Sequence, residues 1–565
     1  MKTRSVLVYC PGYPFDPEAL MPSRPMAAAA GSLLEAGHMT HIRDYGTVEC
    51  VERLVAGRVS EAAKGVAESL LATSASNPLQ TLHVLWRVRA ADRAFRARMK
   101  SLAREIADGV ASLKGLHFAA LMMNVAEDVE WAALIARRLR ASRPKLRILA
   151  FGRIPELYGE SLLRHYPVFD CLCTGDIEFS LLAFAEKAES PQIWHSIPNL
   201  LLRETDGPRT AARSEGGSLG GFPAPAYEPD AYPALRAEQK LKLFDLEDNR
   251  GAGESGHAFP RRGVHAGVRM KPVISVCNEM WRVATLYGAR AFSLCGGEAP
   301  ASHMAAVAHE IVRRGMNVIY SRMSNVRGIA PAVFPTLSAS GCVAMSFRID
   351  TGSQRLLDDF YGRGITVTEI ESVLHGAKKA GLYTIARFTY PCPEDDYHTH
   401  AESVRLIERV RPHVAPVEIP ELLPTSRWYE SPGQFGYSFS RDDLVLQAVR
   451  CARKFPLPEN MWRSVPQRVG GLSAAQVIAG QQELIADIES RGIVASVPEK
   501  LARLARLAGY NEREREFGRR VQEDFLRGDT AGIATLVDQF NEIACVPAKG
   551  VALRPFDSHR IAVGN

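Results

Sequence analysis

The segment from Arg261 to Glu298 combines residue types that can bind a charged small molecule. It closes with Cys295-Gly296-Gly297-Glu298, a tight turn after an apolar run. The two glycines leave the backbone accessible, and the Glu298 carboxylate can pair with an ammonium group. The same four residues also suit an ordinary strand-to-helix turn, so the turn by itself leaves both interpretations open.

The loop before this turn is basic and holds no cysteine. Its side chains suit an anionic ligand group such as a carboxylate, and a solvated basic loop is the alternative interpretation. The cations and the imidazole of this loop are Arg261, Arg262, His265, Arg269 and Lys271.

Another group of polar residues lies at the ends of two apolar runs further along the chain. Arg348 and Asp350 are two apart in a predicted strand, so their side chains share one face. An interior arginine requires a partner, and Asp350 is the nearest candidate. Asp350 and Tyr390 are the candidate proton acceptors of the chain.

The elements that must position these residues begin with an alternation of strands and helices in the first third. The helices include Pro25–Ala36 and Val129–Leu139, and residues from about 51 to 113 indicate an inserted helical hairpin. This order predicts a doubly wound parallel sheet, whose ligands lie beyond the carboxyl ends of the strands. The predicted strands are Ser5–Cys10, Met39–Tyr45, His117–Asn124, Leu146–Gly152 and Phe169–Thr174.

The turns at that edge form the candidate binding site of the first domain. Cys171 and Cys173 precede the last turn and would share one face of a strand, where core packing is favoured over a metal pair. The candidate ligand-binding residues are Pro11, Gly12, Tyr13, Asn124, Gly152, Arg153, Gly175, Asp176 and Glu178.

A second series of strands and helices follows residues 204–234, which are rich in Gly, Pro and Ser and predict a largely extended linker. Its helices include Ala301–Arg314 and Val367–Ala380. Six such units predict a partial (β/α)6 barrel with its site at the carboxyl ends of the strands. The strands are Leu241–Leu246, Ala289–Leu294, Asn317–Tyr320, Val343–Ile349, Thr384–Tyr390 and Pro416–Ile419.

From Arg441 onward the chain is charged and predicts helices. Apolar residues recur there at helical spacing, which indicates amphipathic segments that cover the barrel opening or dock a partner. These segments are Ala474–Ile488, Pro498–Leu507 and Glu512–Leu526.

Most of residues 1–435 resembles the cobalamin-dependent radical S-adenosylmethionine enzymes. AFGRIPELYGESLLRHYPVFDCLCTGDIEFSLLAF is similar to the part of their cobalamin-binding domain that ends in a glycine- and acid-containing turn. MSFRIDTGSQRLLDDFYGRGITVTEIESVLHGAKKAGLYTIARFTYPCPEDD resembles their fourth and fifth barrel strands. Gly296-Gly297-Glu298 is similar to their turn that holds the ammonium of S-adenosylmethionine.

The resemblance implies a domain order as well as cofactors. It implies a Rossmann-like cobalamin-binding domain at 1–203, the linker at 204–234, a radical-type barrel that binds S-adenosylmethionine at 235–435, and a helical domain at 436–565. No D-x-H-x-x-G motif offers cobalt a histidine ligand. The alternative for the first domain is a Rossmann-like domain that binds another nucleotide or nothing.

The sequence departs from the family at the iron–sulfur cluster. The family's loop reads RGCxxxCxxC, but the aligned residues here are Val264, Val268 and Lys271, and cluster ligation needs thiolates. We therefore expect no [4Fe–4S] cluster. Lys271 or Arg269 would then anchor the carboxylate of S-adenosylmethionine in place of iron, and Arg348 is a further cofactor-binding candidate.

Three functions fit a barrel that lacks this electron source. In the first, a transferase uses cobalamin to carry a methyl or alkyl group by polar chemistry, in a specialised biosynthetic pathway. In the second, a lyase cyclises S-adenosylmethionine to an aminocyclopropane carboxylate and releases methylthioadenosine, with Asp350 or Tyr390 as base. In the third, the chain is a non-catalytic partner of an intact radical enzyme. The Gly-Gly-Glu turn favours the first two functions over the third. Trp428 and Tyr429 are candidates for the pocket of the acceptor, and packing at the barrel mouth is the alternative role for both.

The composition of the 565 residues limits the class of protein to which the chain can belong. Hydrophobic residues make up 46% and charged residues 23%, which is typical of globular proteins, and a net charge of +6 gives no case for nucleic acid. No N-terminal signal and no apolar run of about 18–20 residues is present, so we expect a cytoplasmic protein without membrane contact. The ten cysteines form no C-x-x-C pair and predict reduced thiols. The expected partners are a small-molecule substrate and a protein reductant or partner enzyme.

Overall fold

Two large β-sheets, each packed against helices, organise the computed structural model of the chain. They confirm the mixed α/β fold class predicted from the sequence. The structure describes residues 2–12, 17–55, 78–204, 207–211, 217–236, 240–251, 256–258, 267–297, 299–441, 444–452, 467–510 and 513–545.

The first sheet has seven strands in the order β2-β1-β3-β4-β5-β6-β7, with parallel pairing from β2 to β5. The direction of the strand order reverses between β1 and β3, as in doubly wound sheets. All five predicted strands are present. The strands are β1 (Arg4–Tyr9), β2 (Met39–Asp44), β3 (Phe118–Met122), β4 (Arg147–Phe151), β5 (Cys171–Cys173), β6 (Leu200–Glu204) and β7 (Gly207–Thr210).

Within the described residues, six helices belong to this first unit. The predicted helical insertion contains the end of α2 and the long α3, and its residues 56–77 lie outside the described part of the chain. Phe95 and Met99 of α3 share a buried apolar cluster with Trp131 of α4, which fixes the insertion against the sheet's helical layer. The helices are α1 (Arg24–Glu35), α2 (Val48–Val55), α3 (Pro78–Ala111), α4 (Glu127–Ser142), α5 (Arg153–His165) and α6 (Ile177–Lys187).

The linker region holds ordered structure that the sequence analysis did not predict. Strand β6 pairs antiparallel with β5, and β7 pairs antiparallel with β6, so a hairpin extends the first sheet. Leu200 and Leu201 of this hairpin are buried, and so are Tyr227 and Tyr232. The Gly- and Pro-rich composition nearby predicts an extended linker. Burial of these apolar side chains stabilises an ordered structure in its place.

The second sheet has six parallel strands in the order β15-β14-β13-β12-β11-β8, which matches the six predicted strands. Two short antiparallel pairs, β9–β10 and β16–β17, lie in its loops. The strands are β8 (Phe244–Leu246), β9 (Asn249–Arg250), β10 (Arg269–Met270), β11 (Ala291–Leu294), β12 (Ile319–Ser324), β13 (Cys342–Asp350), β14 (Tyr383–Thr389), β15 (Val417–Glu418), β16 (Tyr437–Ser438) and β17 (Arg468–Val469).

Helices cover this sheet on one face and one helix packs on the other. The apolar residues of helices that alternate with the strands, such as Val276 and Ile311, cluster with Phe292 and Phe347. These helices are α7 (Val273–Tyr287), α8 (Ala301–Arg313), α9 (Phe334–Ala339), α10 (Val367–Lys379) and α11 (Tyr397–Val410). The remaining helices are α12 (Arg427–Glu430), α13 (Leu444–Ala452), α14 (Ala474–Ser490), α15 (Glu499–Leu507), α16 (Glu514–Arg527) and α17 (Thr530–Ala544).

Helix α15 occupies the opposite face of the second sheet. Leu501 and Leu504 belong to a buried cluster with Ala344 and Ile385, which alternate with the residues that face the outer helices. The three predicted C-terminal amphipathic segments are therefore helices, and one of them contributes to the inside of the barrel. Among the described residues, no helix is both long and apolar enough to cross a membrane.

Candidate functional site

The carboxyl ends of the two sheets meet through ion pairs. Arg250, next to the end of β8, donates to Asp176 at 2.7 Å and to both carboxylate oxygens of Glu178 at 2.7 and 3.1 Å. Arg269 donates to Asp176 from two nitrogens, at 2.6 and 2.7 Å. Asp176 and Glu178 are almost completely buried. The acidic turn of the first domain is therefore bound to the barrel.

The same network continues into the barrel and back to α1. Arg250 also binds Glu247 at 2.7 Å, and Arg24 of α1 lies 3.0 Å from Glu247 and 3.4 Å from Glu279. Burial alone would raise the pKa of Glu247, but the guanidinium groups of Arg24 and Arg250 outweigh it and lower the pKa to about 2. Glu247 is therefore ionised at every physiological pH.

The two cations expected to anchor a ligand carboxylate have protein partners. Lys271 is buried, and its ammonium group binds Glu279. Arg269 binds Asp176, as described above. Ligand binding by either side chain stays a prediction, and the ion pairs give both side chains a structural role.

The donor set at the cluster loop does not fit an iron–sulfur cluster. Val268 and Lys271 offer no thiolate, and clusters are held by thiolates or, less often, imidazoles. Val264 lies outside the described residues, together with Arg261, Arg262 and His265. Within the described ranges, no group of three His, Cys, Asp or Glu side chains could hold a metal ion.

A buried carboxylate organises the crevice at the strand-order reversal of the first sheet. Asp128 accepts hydrogen bonds from the backbone N–H groups of Asn124 at 2.8 Å, Val125 at 3.0 Å and Gly12 at 3.3 Å. It thereby joins the turn after β1 to the turn after β3. Burial raises the pKa of Asp128 to about 7, although the three backbone donors act in the other direction. The sequence analysis missed Asp128, whose only signal is an acid in the first turn of α4.

The turns around this crevice are partly exposed. Val125 after β3 is 46% exposed, and the side chain of Arg153 after β4 is 56% exposed. Pro11 and Gly12 border it from β1, and Tyr13 lies outside the described residues.

Contacts within the protein require glycine at two further positions of this edge. Gly152 has φ 110° and a Cβ there would lie 2.6 Å from the carbonyl oxygen of Met123; Gly175 has φ 71° and a Cβ would meet the side chain of Asn199. Close approach within the protein therefore explains both glycines, and neither requires a macrocycle.

The Gly-Gly turn lies against the loop after β8. A Cβ on Gly296 would be 2.5 Å from Asp248 Oδ1, and Asn325 donates to the carbonyl oxygen of Gly297 at 3.1 Å. Glu298 lies outside the described residues. The turn thus sits at the carboxyl ends of β11 and β12, where a barrel binds its ligand.

A buried charge cluster beneath this turn was not predicted. Arg322 of β12 donates to Asp248 at 2.7 Å, and His303 of α8 lies 3.9 Å from the same carboxylate. Burial, followed by the neighbouring Arg322, lowers the pKa of His303, although Asp248 acts in the other direction. Arg322 is on β12 and Asp248 is in the loop after β8, 74 residues away in the chain, so no local sequence pattern reveals the pair.

Arg348 and Asp350 are ion-paired, as their spacing predicts. Arg348 Nε donates to Asp350 Oδ1 at 2.8 Å, Arg363 lies 3.4 Å from Asp350 Oδ2, and the hydroxyl of Thr389 donates at 3.2 Å. Asp350 has a positive φ of 71°, which is uncommon outside glycine. Burial alone would raise the pKa of Asp350, but Arg348 and Arg363 outweigh it and lower the pKa. Asp350 is therefore a weak proton acceptor.

The hydroxyl of Tyr390 belongs to a different environment from Asp350. It lies 3.4 Å from His400 Nδ1, and His400 Nε2 lies 3.1 Å from Asp487. Burial raises the pKa of Tyr390 to about 12. The structure places the two candidate bases apart, and the function of Tyr390 as a base stays a prediction.

The inner face of the second sheet carries charges from α15. Arg503 donates to Ser293 at 2.8 Å and lies 2.6 Å from Glu499, and all three residues are nearly buried. This contribution of the C-terminal helices to the barrel interior was not predicted. Trp428 is fully buried against Phe360 and Tyr361, so it is a packing residue.

The chain is similar to known proteins in its fold more than in its sequence. No protein-family model matches the chain. An uncharacterised methyltransferase of Pyrococcus horikoshii is 24% identical over 120 residues, which are 21% of this chain and 26% of that protein. The chain therefore aligns with about a quarter of that relative.

The solved structures match over nearly the whole chain. The radical S-adenosylmethionine methyltransferase TsrM from Kitasatospora setae, with cobalamin and a [4Fe–4S] cluster bound, superposes with a TM-score of 0.64 at 13% identity, over 93% of this chain and 100% of that chain. The cobalamin-dependent S-adenosylmethionine radical enzyme OxsB, with aqua-cobalamin and S-adenosylmethionine bound, gives 0.60 at 11% identity, over 96% and 79%. The chain thus has the fold of the cobalamin-dependent radical S-adenosylmethionine enzymes.

Proposed function

We propose that the protein is an enzyme that uses cobalamin and S-adenosylmethionine to transfer a methyl group to a small-molecule acceptor by polar chemistry. The observation that carries this proposal is the direct junction of the two carboxyl edges through Asp176, Glu178, Arg250 and Arg269. It holds the crevice of the first sheet beside the mouth of the barrel. The similar fold of a cobalamin-containing methyltransferase supports the same function.

The first domain would hold cobalamin at the crevice between β1 and β3. When bound, cobalamin supplies a nucleophilic cobalt that can accept and hand on a methyl group. Asp128 fixes the two turns that border the crevice, and Val125 offers exposed apolar surface to a flat ligand. Arg153, whose side chain is 56% exposed, can bind a polar substituent at the rim.

The barrel would hold S-adenosylmethionine across the carboxyl ends of its strands. Gly296 and Gly297 present backbone to the ammonium end, as the family resemblance implies. Arg348 lies at the end of β13, two strands from this turn, or about 10 Å at the usual strand spacing. Its guanidinium is partly exposed and is suited to a ligand carboxylate.

Polar chemistry is supported by the loop that replaces the cluster motif. Its described positions offer valine and lysine, so the residues present suit group transfer without an electron from iron. The cyclisation alternative requires a base near S-adenosylmethionine, and the lowered pKa of Asp350 makes that carboxylate a weak one. The other candidate, Tyr390, stays protonated at neutral pH because burial raises its pKa to about 12. Methyl transfer is therefore the better supported of the two enzymatic functions.

The products of one incubation test this proposal. The purified protein is incubated with S-adenosylmethionine, cobalamin and titanium(III) citrate as reductant, and the nucleoside products are separated by chromatography. We expect S-adenosylhomocysteine together with the absorption spectrum of methylcobalamin. Methylthioadenosine would indicate cyclisation, 5′-deoxyadenosine would indicate radical chemistry, and the absence of all products with no corrinoid bound would reject the proposal. An iron and sulfide assay on the same anaerobic preparation tests whether the protein holds an iron–sulfur cluster.

A further inference from the structure

A cavity of about 210 Å³ lies between the first domain and the loop after β15. Helices α5, α12 and α13 form its other walls. Its lining includes Tyr158, Ile419, Leu422, Tyr429, Phe439 and Ala448.

The cavity is placed beside both candidate cofactor edges. Tyr158 lies on α5, which begins at Arg153 after β4, and the helix is kinked at Tyr158. Ile419 follows the carboxyl end of β15 directly. Arg153 and Glu421 form an ion pair at 3.5 Å that joins the two walls. A molecule in the cavity would therefore lie close to the turns that border the cobalamin crevice and the barrel mouth.

The size of the cavity limits its ligand. An engineered protein cavity of about 150 Å³ binds benzene. A space of about 210 Å³ is larger by roughly one further fused ring. It suits a planar molecule of one or two rings and is too small to hold a corrinoid.

The walls combine aromatic and aliphatic side chains. The rings of Tyr429 and Phe439 are in contact, with centroids 5.0 Å apart, and form an aromatic wall, while Ile419 and Leu422 of the loop after β15 also line the cavity. Arg441 stacks on Tyr429 at 5.1 Å and donates to the carbonyl oxygens of Tyr429 and Glu430. The aromatic wall is thus held in place from outside, which favours binding of a flat ring.

Two phenol groups supply hydrogen-bonding capacity. No residue in the described ranges forms a hydrogen bond with the hydroxyl of Tyr158 or Tyr429. Burial raises the pKa of Tyr158 to about 12 and also raises the pKa of Tyr429. Both hydroxyls therefore stay protonated at neutral pH and can donate to a ligand.

We infer that this cavity binds a planar aromatic molecule of one or two fused rings that carries a hydrogen-bond acceptor, and that this molecule is the methyl acceptor. Its role as acceptor rests on the proposed function, whereas the binding itself does not. The aromatic wall, the volume and the two phenol donors together select this chemical class over an aliphatic or anionic one.

Calorimetric titration of the full chain with quinoline tests the binding. Quinoline has two fused rings and one ring nitrogen that accepts a hydrogen bond. We expect saturable binding that weakens at least tenfold in Ala448→Phe, because the larger side chain fills the cavity. The double variant Tyr158→Phe/Tyr429→Phe keeps the shape and should bind about fivefold more weakly, since one hydrogen bond is lost. Tyr397→Phe, at an 82% exposed position elsewhere, is the matched control and should bind like the parent chain.

The outcomes separate this inference from the proposed function. No saturable binding, or equal affinity in Ala448→Phe and the parent, would overturn the cavity as a binding site whatever the methyl-transfer assay shows. Quinoline binding in a protein that forms no S-adenosylhomocysteine would support the site and reject its role in methyl transfer. Circular dichroism shows whether Ala448→Phe folds. If it does not, the double tyrosine variant tests the site in its place. Unchanged affinity in that variant would mean that the two hydroxyls do not donate to the ligand.

Discussion

At the scale of single residues, buried charges with named partners define the candidate site. Arg348 and Asp350 form the predicted pair, while Asp128 and Arg250 each bind groups from distant parts of the chain. Because a buried charge is costly without a partner, these contacts determine the local conformation around them.

Arg348→Gln removes the cation proposed to bind the carboxylate of S-adenosylmethionine. We expect at least tenfold weaker binding of S-adenosylmethionine, because a charge-assisted hydrogen bond is worth about 1.5–3 kcal/mol. Calorimetric titration measures the affinity. Arg355→Gln removes an exposed arginine that pairs with Glu394 and should leave the affinity unchanged. Equal affinities of both variants would place the carboxylate elsewhere.

Asp128→Asn should change how stability depends on pH. Since burial raises the pKa of Asp128 from its ordinary 3.8 to about 7, the folded state binds more protons than the unfolded state between about pH 4 and 7. The free energy of unfolding of the parent should therefore fall as pH rises from 5 to 8, by about 2–3 kcal/mol relative to the Asn variant. Urea unfolding of both proteins at each pH gives this difference. Parallel pH profiles would contradict the raised pKa.

At the scale of elements, α15 is the least expected part of the architecture. Its amphipathic pattern predicts a helix, and the structure packs that helix on the inner face of the second sheet. Glu499 and Arg503 on this helix bring charge into the barrel, where Arg503 binds Ser293 of β11. The C-terminal helices are therefore part of the barrel's core.

Leu504→Ala tests whether α15 is a core element. Leu504 is 5% exposed, and truncation of a buried leucine removes apolar contacts and leaves a cavity. We expect the free energy of unfolding to fall by about 2–4 kcal/mol in urea. Leu286→Ala, at a 38% exposed position on α7, should lower it by less than about 1 kcal/mol. Similar small effects in both variants would mean that α15 is only peripherally attached.

At the scale of the whole molecule, the relation between the two sheets is set by an ionic junction within a shared apolar core. Leu149 of β4 and Phe244 of β8 belong to one buried cluster. Arg250 adds the ion pairs to Asp176 and Glu178 across the junction. This arrangement holds the two candidate cofactor edges at one orientation, which the proposed group transfer between bound molecules requires.

Arg250→Ala should weaken this junction strongly. Its side chain is 13% exposed, and its removal leaves three buried carboxylates with one fewer cation. We expect a loss of about 3–5 kcal/mol in the free energy of unfolding, measured in urea. Arg313→Ala breaks a pair with Glu310 at a 70% exposed position and should change stability by about 0–1 kcal/mol. A comparable small loss in Arg250→Ala would show that apolar contacts alone hold the sheets together.

The sequence by itself determined the two α/β units and eleven of the thirteen described strands of the two large sheets. These features are local, because strand and helix periodicity record which side chains share a face. The Arg348–Asp350 pair was also predicted, although the strand is irregular between the two residues and Asp350 has a positive φ. The β6–β7 hairpin is the local element that composition obscured.

Only the tertiary structure decided which polar groups from distant parts of the chain meet. Gly12 and Asp128 are 116 residues apart in the chain, and Asp176 and Arg250 are 74 apart. The tertiary structure also decided the partner of Lys271, which is Glu279 on α7. It decided the position of α15 as well, because the amphipathic pattern of this helix is compatible with any apolar surface. Packing selects the partner of each buried charge and the surface under each helix, because desolvation makes the unpaired alternatives unfavourable, and no local pattern encodes that choice.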